Sequence, residues 1–272
     1  MPLADRFDGL LIDLDGVVWI GPEPLPGAAE ALRGLLEAGK GLVFVTNNPG
    51  RHPEAYAERL RGMEVEVGPE QVVTAGMVAA RLAGEAAPGG GAFVIGAPAL
   101  KELVAASGLR LLEGEESREA DVVVVSGHRD FDYEELLTAK RALDRGAALI
   151  ATSRDRTMPM PGGEVPGTGA VLAAVETASG RRAEIAGKPE RHLFEMALEA
   201  LRGSFRTDDD RKEPRNGRVA MVGDRVSSDV EGGRRAGLET VLVLSGTTSR
   251  SGAEAADPGP DHVLDGLPGL LT

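Results

Sequence analysis

Two carboxylates follow a short apolar run near the start of the chain, and their spacing could serve catalysis or cation binding. Leu10, Leu11 and Ile12 lead into Asp13, and Asp15 stands two positions later. Side chains two apart in extended backbone point to the same side, so the two carboxylates are predicted to emerge together. At about 4 Å they would repel by roughly 4 kcal/mol at an effective dielectric of about 20. A bound cation or a shared catalytic proton explains such a pair; the alternative interpretation is a solvated turn that caps the strand.

Polar residues also follow two later apolar runs. Thr46 and Asn47 follow the second run, Asp224 follows the third, and Asp229 stands five positions beyond it. Lys188 lies in a Gly-Lys-Pro turn ahead of a predicted helix. Ligands of open α/β sheets bind at the carboxyl ends of the strands. We therefore expect these side chains to meet at one edge of a sheet.

This set of residue types suits phosphoryl transfer. Asp13 can attack phosphorus as a carboxylate nucleophile. Asp15 can give a proton to the leaving oxygen and later take one from water. The Thr46 hydroxyl and the main-chain amides near it can bind phosphoryl oxygens, and Lys188 adds positive charge.

The same residues offer oxygen ligands for a hard cation. Asp224, Asp13 and the main-chain carbonyl of Asp15 form an all-oxygen set, which favours Mg²⁺ over zinc or copper. Asp229 either binds the metal through water or anchors Lys188.

Composition narrows the class of protein. The 272 residues carry a net charge of −13, which argues against a general nucleic-acid or anionic-membrane binder. There is no cysteine, so disulfides, thiolate metal sites and a Cys nucleophile are excluded. Nothing resembles a signal peptide or an unbroken apolar span of about 18 residues. A soluble cytoplasmic protein without nucleic-acid or membrane partners is the expectation.

Strand and helix patterns alternate along the chain, which predicts α/β architecture with parallel sheets. We expect residues 1–78 and 186–272 to form one discontinuous domain that carries all the polar residues above. Residues 79–185 form a second α/β domain inserted into it. Within this scheme residues 71–82 are predicted to be a helix that leaves the first sheet.

The order and spacing of four motifs resemble those of the haloacid dehalogenase-like (HAD) hydrolases. The inserted domain resembles the type II cap of subfamily IIA, the NagD-like or 4-nitrophenylphosphatase branch. The matching segments are Asp13-Leu14-Asp15-Gly16-Val17, Thr46-Asn47, Lys188, Gly223-Asp224-Arg225-Val226-Ser227-Ser228-Asp229 and, in the insertion, Asp130-Phe131-Asp132-Tyr133 and Pro166-Gly167-Thr168-Gly169-Ala170.

The resemblance implies a Rossmann-like, doubly wound parallel sheet beneath an α/β cap. It further implies a Mg²⁺-dependent phosphatase of small phosphorylated metabolites that acts through an aspartyl-phosphate on Asp13. Sugar or glycerol phosphates, phosphoglycolate, pyridoxal phosphate and nucleotides are the implied substrates. Thr46, Asn47, Gly16 and Lys188 would bind the phosphate. Caps of this branch often dimerise, so a homodimer through the cap is a further expectation.

Other interpretations stay open at this point. A haloacid dehalogenase would need no metal, and a phosphate-responsive binding protein would need no turnover. The substrate is not determined, and Arg129, Arg154 and Arg156 are candidates to contact a second anionic group on it. Asp208, Asp209 and Asp210 form a carboxylate triplet. Because the triplet lies in the polar stretch 202–218, we interpret it as part of a solvated loop.

Overall fold

A computed structural model describes residues 1–160, 162–204 and 218–272. The carboxylate triplet at 208–210 lies outside these residues. In chain order the first elements are β1 Gly9–Asp13, β2 Trp19–Ile20, β3 Glu23–Pro24, α1 Ala28–Glu37, β4 Gly41–Thr46, α2 Pro53–Arg61, β5 Val72–Thr74 and α3 Ala75–Ala86. Next come β6 Gly91–Ile95, α4 Pro98–Ala106, β7 Arg110–Leu111, β8 Val122–Val125, α5 Tyr133–Asp144, β9 Ala148–Ala151, β10 Thr157–Met160, β11 Gly163–Pro166, α6 Thr168–Ser179 and β12 Glu184–Ile185.

The remaining elements return to the first sheet. They are α7 Arg191–Ser204, β13 Val219–Gly223, α8 Glu231–Arg235, β14 Glu239–Val243, α9 Arg250–Glu254 and β15 His262–Leu264. Short 3₁₀ turns cover Leu3–Arg6, Pro69–Gln71, Gly114–Glu119 and Leu267–Leu271, and a π turn covers Val226–Val230.

The first sheet has six parallel strands in the order β15-β14-β13-β1-β4-β5, with β1 near its centre. Leu10 and Ile12 face one core with Leu32 of α1, while Leu11 faces another with Phe194 of α7. Burial of each such side chain stabilises the fold by roughly 1.5–3 kcal/mol. Because helices cover both faces, the strand is apolar at every position and shows no alternation. The predicted α/β class and doubly wound parallel sheet are confirmed.

The second sheet has five parallel strands in the order β12-β9-β8-β6-β7. Val123 of β8 packs with Leu143 of α5 and Leu172 of α6, and Val124 packs on the opposite face with Leu100 of α4. Helix α3 contacts strands of both sheets. The two sheets therefore share a continuous apolar layer rather than touching only at their edges.

One predicted element is wrong in part. The stretch predicted as helix from residue 71 starts as strand β5, which pairs with β4, and helix α3 begins only at Ala75. Val72 and Val73 are β-branched and complete the sheet edge, while the Thr74 hydroxyl accepts a hydrogen bond from the amide of Met77 at 3.2 Å and caps the helix. The hairpin β10–β11 was not predicted.

Within the described residues, no helix combines the length and the apolar character that crossing a bilayer requires.

Candidate active site

The carboxyl ends of three neighbouring strands bring the predicted residues together. Asp13 is the last residue of β1, Thr46 is the last residue of β4, and Asp224 directly follows β13. These strands lie side by side in the first sheet. The polar residues that follow separate apolar runs therefore meet at one edge of the sheet, as predicted from the sequence.

Lys188 lies within this group and is almost completely buried. Its Nζ lies 2.9 Å from Oδ1 of Asp13 and 2.7 Å from Oδ1 of Asp229. Burial alone lowers the pKa of Lys188, but the two carboxylates outweigh it and raise that pKa above its ordinary value. The ammonium is therefore charged at neutral pH and ties Asp13 to Asp229. Anchoring Lys188 is one of the two roles expected of Asp229.

The main chain of Lys188 is fixed by the side chain of Asn47. The Lys188 amide donates to Oδ1 of Asn47 at 2.8 Å, and Nδ2 of Asn47 donates to the Lys188 carbonyl at 3.1 Å. The same Nδ2 donates to Oδ2 of Asp155, in the loop after β9, at 2.8 Å. Asn47 was predicted to bind phosphate. Since its side-chain amide is fully engaged, a phosphate contact would have to come from its main-chain N–H.

Three buried carboxylates form a cluster that suits a cation. One carboxylate oxygen from each of Asp13, Asp224 and Asp229 lies within 4.8 Å of the others. Oδ2 of Asp224 accepts from the Thr247 amide at 2.6 Å, whereas its Oδ1 is buried with no hydrogen-bond partner among the described residues. A buried carboxylate oxygen without a donor is costly. An oxygen-seeking divalent cation would satisfy it, so these residues fit Mg²⁺.

The electrostatics of the cluster agree with this fit. Burial raises the pKa of Asp13 well above its ordinary value, and the neighbouring Asp229 and Asp224 raise it further, against the opposing effect of Lys188. Burial, assisted by Asp229, raises the pKa of Asp224 to about 6. One ammonium does not balance three carboxylates. Further positive charge at this point would favour the ionised forms.

Asp15 lies beside this cluster, and its carboxylate is not part of it. Oδ1 accepts from Nε1 of Trp19 at 3.2 Å, and Oδ2 accepts from Oγ1 of Thr46 at 3.4 Å. Burial raises the pKa of Asp15, and the hydrogen bond from Trp19 opposes that rise. The predicted metal ligand at this position is the main-chain carbonyl, which stays a prediction. The Thr46 hydroxyl also accepts from the Asn48 amide at 3.0 Å.

Gly16 has a structural role in place of the phosphate contact predicted from the sequence. Its N–H donates to the Trp19 carbonyl at 2.7 Å, and its carbonyl accepts from the Ser245 hydroxyl at 2.8 Å. Its φ is +90°, and a Cβ there would lie 2.6 Å from Oδ2 of Asp224. Gly16 therefore forms a turn in which the absence of a side chain leaves space for Asp224. Its N–H is hydrogen-bonded to the Trp19 carbonyl and is not directed at a phosphate.

A cavity of about 780 Å³ opens over these residues. Its wall includes Asp13, Asp15, Thr46, Asn47 and Lys188 from the first sheet. The opposite wall comes from the second sheet and its loops, with Ser126, Gly127, His128, Arg129, Ser153, Asp155, Thr157, Met158, Val165 and Thr168. The cavity thus lies between the carboxyl ends of strands from both sheets.

The second wall separates the three candidate arginines. Arg129 lines the cavity, and Arg154 and Arg156 are not among its lining residues. Arg154 instead pairs with Glu176 through both terminal nitrogens, at 2.9 and 2.8 Å. Among the described residues, only Arg129 of the three is placed to contact a substrate.

Sequence reasoning missed part of this wall. His128 lines the cavity, and its Nε2 lies 2.8 Å from Oε2 of Glu135. Met158 lines the cavity as well. Arg225 reaches across to donate to the Thr157 carbonyl at 3.2 Å. The position of His128 just after β8 is the one sequence signal that could have identified it.

Two family models match the chain. One, described as haloacid dehalogenase-like hydrolase, matches residues 10–110 and therefore includes Asp13, Asp15 and Thr46. The other, described as HAD-hydrolase-like, matches residues 185–270 and includes Lys188 and Asp224.

Individual proteins match over nearly the full length. Chronophin from Rattus norvegicus is 38% identical over 266 residues, covering 94% of this chain and 82% of chronophin. A glycerol phosphate phosphatase from Mycobacterium tuberculosis, solved in complex with magnesium, has 35% identity and a TM-score of 0.86, covering 100% of this chain and 78% of that one. A p-nitrophenyl phosphatase from Archaeoglobus fulgidus has 34% identity and a TM-score of 0.81, with 96% and 97% covered. The chain therefore belongs to the haloacid dehalogenase-like hydrolases, in the NagD-like, 4-nitrophenylphosphatase branch that its motifs indicated.

Proposed function

We propose that this protein is a Mg²⁺-dependent phosphatase that hydrolyses small phosphomonoesters through an aspartyl-phosphate on Asp13. The observation that carries the proposal is the pairing of a buried ammonium, Lys188, with Asp13 at the floor of a cavity large enough for a metabolite. Lys188 orients the carboxylate and supplies positive charge where phosphoryl oxygens would gather.

The first chemical step is assigned to Asp13 and Asp15. Oδ2 or Oδ1 of Asp13 attacks phosphorus, and the bond between phosphorus and the leaving oxygen breaks. Asp15 gives its proton to that oxygen, so the alcohol departs neutral. Burial, which raises the pKa of Asp15, favours the protonated form needed here.

The second step regenerates the enzyme. Asp15, now ionised, takes a proton from a water molecule as the water oxygen attacks phosphorus. The bond between phosphorus and Asp13 breaks, and inorganic phosphate is released. One carboxyl group serves both steps because it ends the first step in the form that the second requires.

Mg²⁺ would be held by Asp13, by Oδ1 of Asp224, which has no hydrogen-bond partner within the part of the chain that the structure describes, and by the main-chain carbonyl of Asp15. When bound, it supplies charge that stabilises the phosphoryl oxygens and the ionised carboxylates. Asp229 keeps both of its oxygens engaged, one with Lys188 and one with the Arg225 amide at 2.9 Å. We therefore assign Asp229 the role of anchoring Lys188.

The division into a core and a cap is part of the same proposal. All strands of the first sheet come from residues 1–78 and 186–272, and all strands of the second come from 79–185. Since the second sheet supplies one wall of the cavity, we propose that residues 79–185 select the leaving group. A homodimer formed through this cap stays a prediction.

The test measures phosphate release over a panel of phosphomonoesters. The panel contains glycerol 3-phosphate, a sugar phosphate, phosphoglycolate, pyridoxal phosphate and a nucleoside monophosphate, each with Mg²⁺ and with EDTA. We expect turnover of at least one ester with Mg²⁺ and none with EDTA. Asp13→Asn should abolish turnover while circular dichroism shows an unchanged fold. Phosphate release by that variant would overturn the nucleophile assignment. Halide release from a haloacid in the presence of EDTA would favour the alternative function, a metal-independent haloacid dehalogenase.

A further inference from the structure

Trp19, the one tryptophan of the sequence, is fully buried next to Asp15. Its Nε1 donates to Oδ1 of Asp15 at 3.2 Å, and its carbonyl accepts the Gly16 amide at 2.7 Å. The Trp19 amide donates to the Leu14 carbonyl at 3.3 Å. The indole and the main chain of Trp19 thus close a turn around Asp15.

Helix α2 holds the indole ring in place, although it contributes no chemical group to the cavity floor. The guanidinium carbon of Arg59 lies 3.8 Å from the centroid of the Trp19 ring. Arg59 also donates to the Gly21 carbonyl at 2.8 Å, so its position over the ring is fixed. The Tyr56 ring is nearly parallel to the indole, with 6.4 Å between centroids and 5° between planes. A cation over an indole face and a stacked ring both restrict the tryptophan to one orientation.

We infer that Trp19 is a positioning residue that fixes the carboxyl group of Asp15 for proton transfer to the leaving oxygen. The inference rests on the proposed phosphatase function. The indole N–H is a donor only, so it occupies Oδ1 whether or not the carboxyl group is protonated. Oδ2 makes the longer contact, 3.4 Å to Oγ1 of Thr46, and is the oxygen that we assign to the proton transfer. When Oδ2 gives that proton to the leaving oxygen, the N–H stabilises the carboxylate that remains.

The leaving group decides whether this positioning is needed. A glycerol phosphate must receive a proton as its alcohol departs, whereas 4-nitrophenolate departs as a stable anion. General acid catalysis contributes typically 10²–10⁴-fold, so a misplaced acid should cost on the order of 10-fold or more with the alkyl ester. The quantity to compare is kcat/KM, because it reflects steps up to leaving-group departure and excludes the later hydrolysis of the aspartyl-phosphate.

The experiment compares wild type, Trp19→Phe and a variant in which benzothienylalanine replaces Trp19 and so removes only the N–H. We expect kcat/KM to fall about 10-fold or more for glycerol 3-phosphate and less than about 2-fold for 4-nitrophenyl phosphate. Tyr56→Phe is the matched control from the same stack, and its effect should be equal for the two esters. Equal losses for both esters in the Trp19 variants, or no loss in either, would overturn the inference.

A second measurement tests the contact without catalysis. Because Trp19 is the sole tryptophan, the intrinsic fluorescence of the protein reports on this residue alone. Asp15→Ala removes the acceptor of its N–H, and we expect a shifted emission maximum relative to wild type. Identical spectra would show that the contact does not form. If wild type hydrolyses no ester of the panel described above, the proposed function fails, and the fluorescence measurement still decides whether Trp19 holds Asp15.

Discussion

Replacement of Lys188 by methionine tests the electrostatic core of the site. The ammonium lies 2.9 Å from one carboxylate oxygen and 2.7 Å from another, and its side chain is only 2% exposed. At an effective dielectric of about 20, each contact is worth roughly 6 kcal/mol of attraction. The cost of burying the ammonium offsets most of this sum. Breaking a buried pair nevertheless costs about 3–5 kcal/mol, because it leaves buried carboxylates uncompensated.

We therefore expect Lys188→Met to lower the free energy of unfolding by about 3–5 kcal/mol in EDTA. Urea titrations at pH 7, followed by the fluorescence of Trp19, measure this difference. Mg²⁺ should stabilise the variant more than it stabilises wild type. In wild type the Lys188 ammonium already neutralises part of the negative charge of the carboxylates, and the variant lacks this ammonium. The difference in the free energy of unfolding between the variant and wild type should therefore become smaller as Mg²⁺ is added.

Lys140→Met is the matched control. Lys140 also pairs with a carboxylate, Asp144, at 2.5 Å, but both side chains are close to half exposed. Such a pair is worth about 0.5 kcal/mol or less, so the control should be nearly neutral. A loss below about 1 kcal/mol for Lys188→Met, or one equal to the control, would refute the electrostatic argument. The double variant Lys188→Met with Asp229→Asn should recover part of the loss, because it removes one of the unpaired carboxylates.

Two further predictions follow from other parts of the structure. Hydrogen bonds from Arg154, assisted by a main-chain amide and a second arginine, lower the pKa of Glu176 to about 2. A carboxyl group with a lowered pKa stabilises the fold above its unfolded pKa of about 4.5 and loses this effect as the pH falls towards 2. Glu176→Gln should therefore cost about 2 kcal/mol at pH 7, with thermal melts that converge with wild type near pH 2; a constant difference across this range would contradict the assignment. Gly16→Ala should abolish phosphate release and destabilise the fold, because its Cβ would meet Asp224, whereas Gly39→Ala, at φ +73° with nothing within 4 Å, should show only the backbone cost of about 1 kcal/mol. Full activity of Gly16→Ala, or equal losses of stability in both variants, would count against the packing argument.

Local pattern was sufficient for the strands of the first sheet that carry the site, β1, β4 and β13, and failed for its edge strand β5. The continuous apolar run at Leu10–Ile12 could be satisfied only by a strand covered on both faces, and β1 has that position. Each later apolar run ends in a polar residue, and parallel strands that lie side by side present those ends at one edge. The edge of the sheet and the identity of its carboxylates were therefore predictable, as was membership of the hydrolase family.

The partners of each side chain were not predictable in the same way. Asn47 has the residue type of a ligand-binding side chain, yet its amide holds Asp155 and the main chain of Lys188, which are 108 and 141 positions away in sequence. Gly16 belongs to a recognised motif, but its N–H is used within its own turn. A motif specifies which groups are present near the site and does not specify which of them are already engaged.

The sequence by itself determined β1, β4 and β13, their polar ends and the family, because these depend on periodicity and on residue types close together in the chain. Only the tertiary structure decided which residues of the second sheet and its loops line the opposite wall of the cavity. It placed Arg129 in this wall, paired Arg154 with Glu176 and put the Trp19 N–H on Asp15. These outcomes depend on how side chains from distant segments compete for the same few donors and acceptors in a buried space. Which donor pairs with which acceptor depends on packing in three dimensions, and it cannot be predicted from a local pattern along the chain.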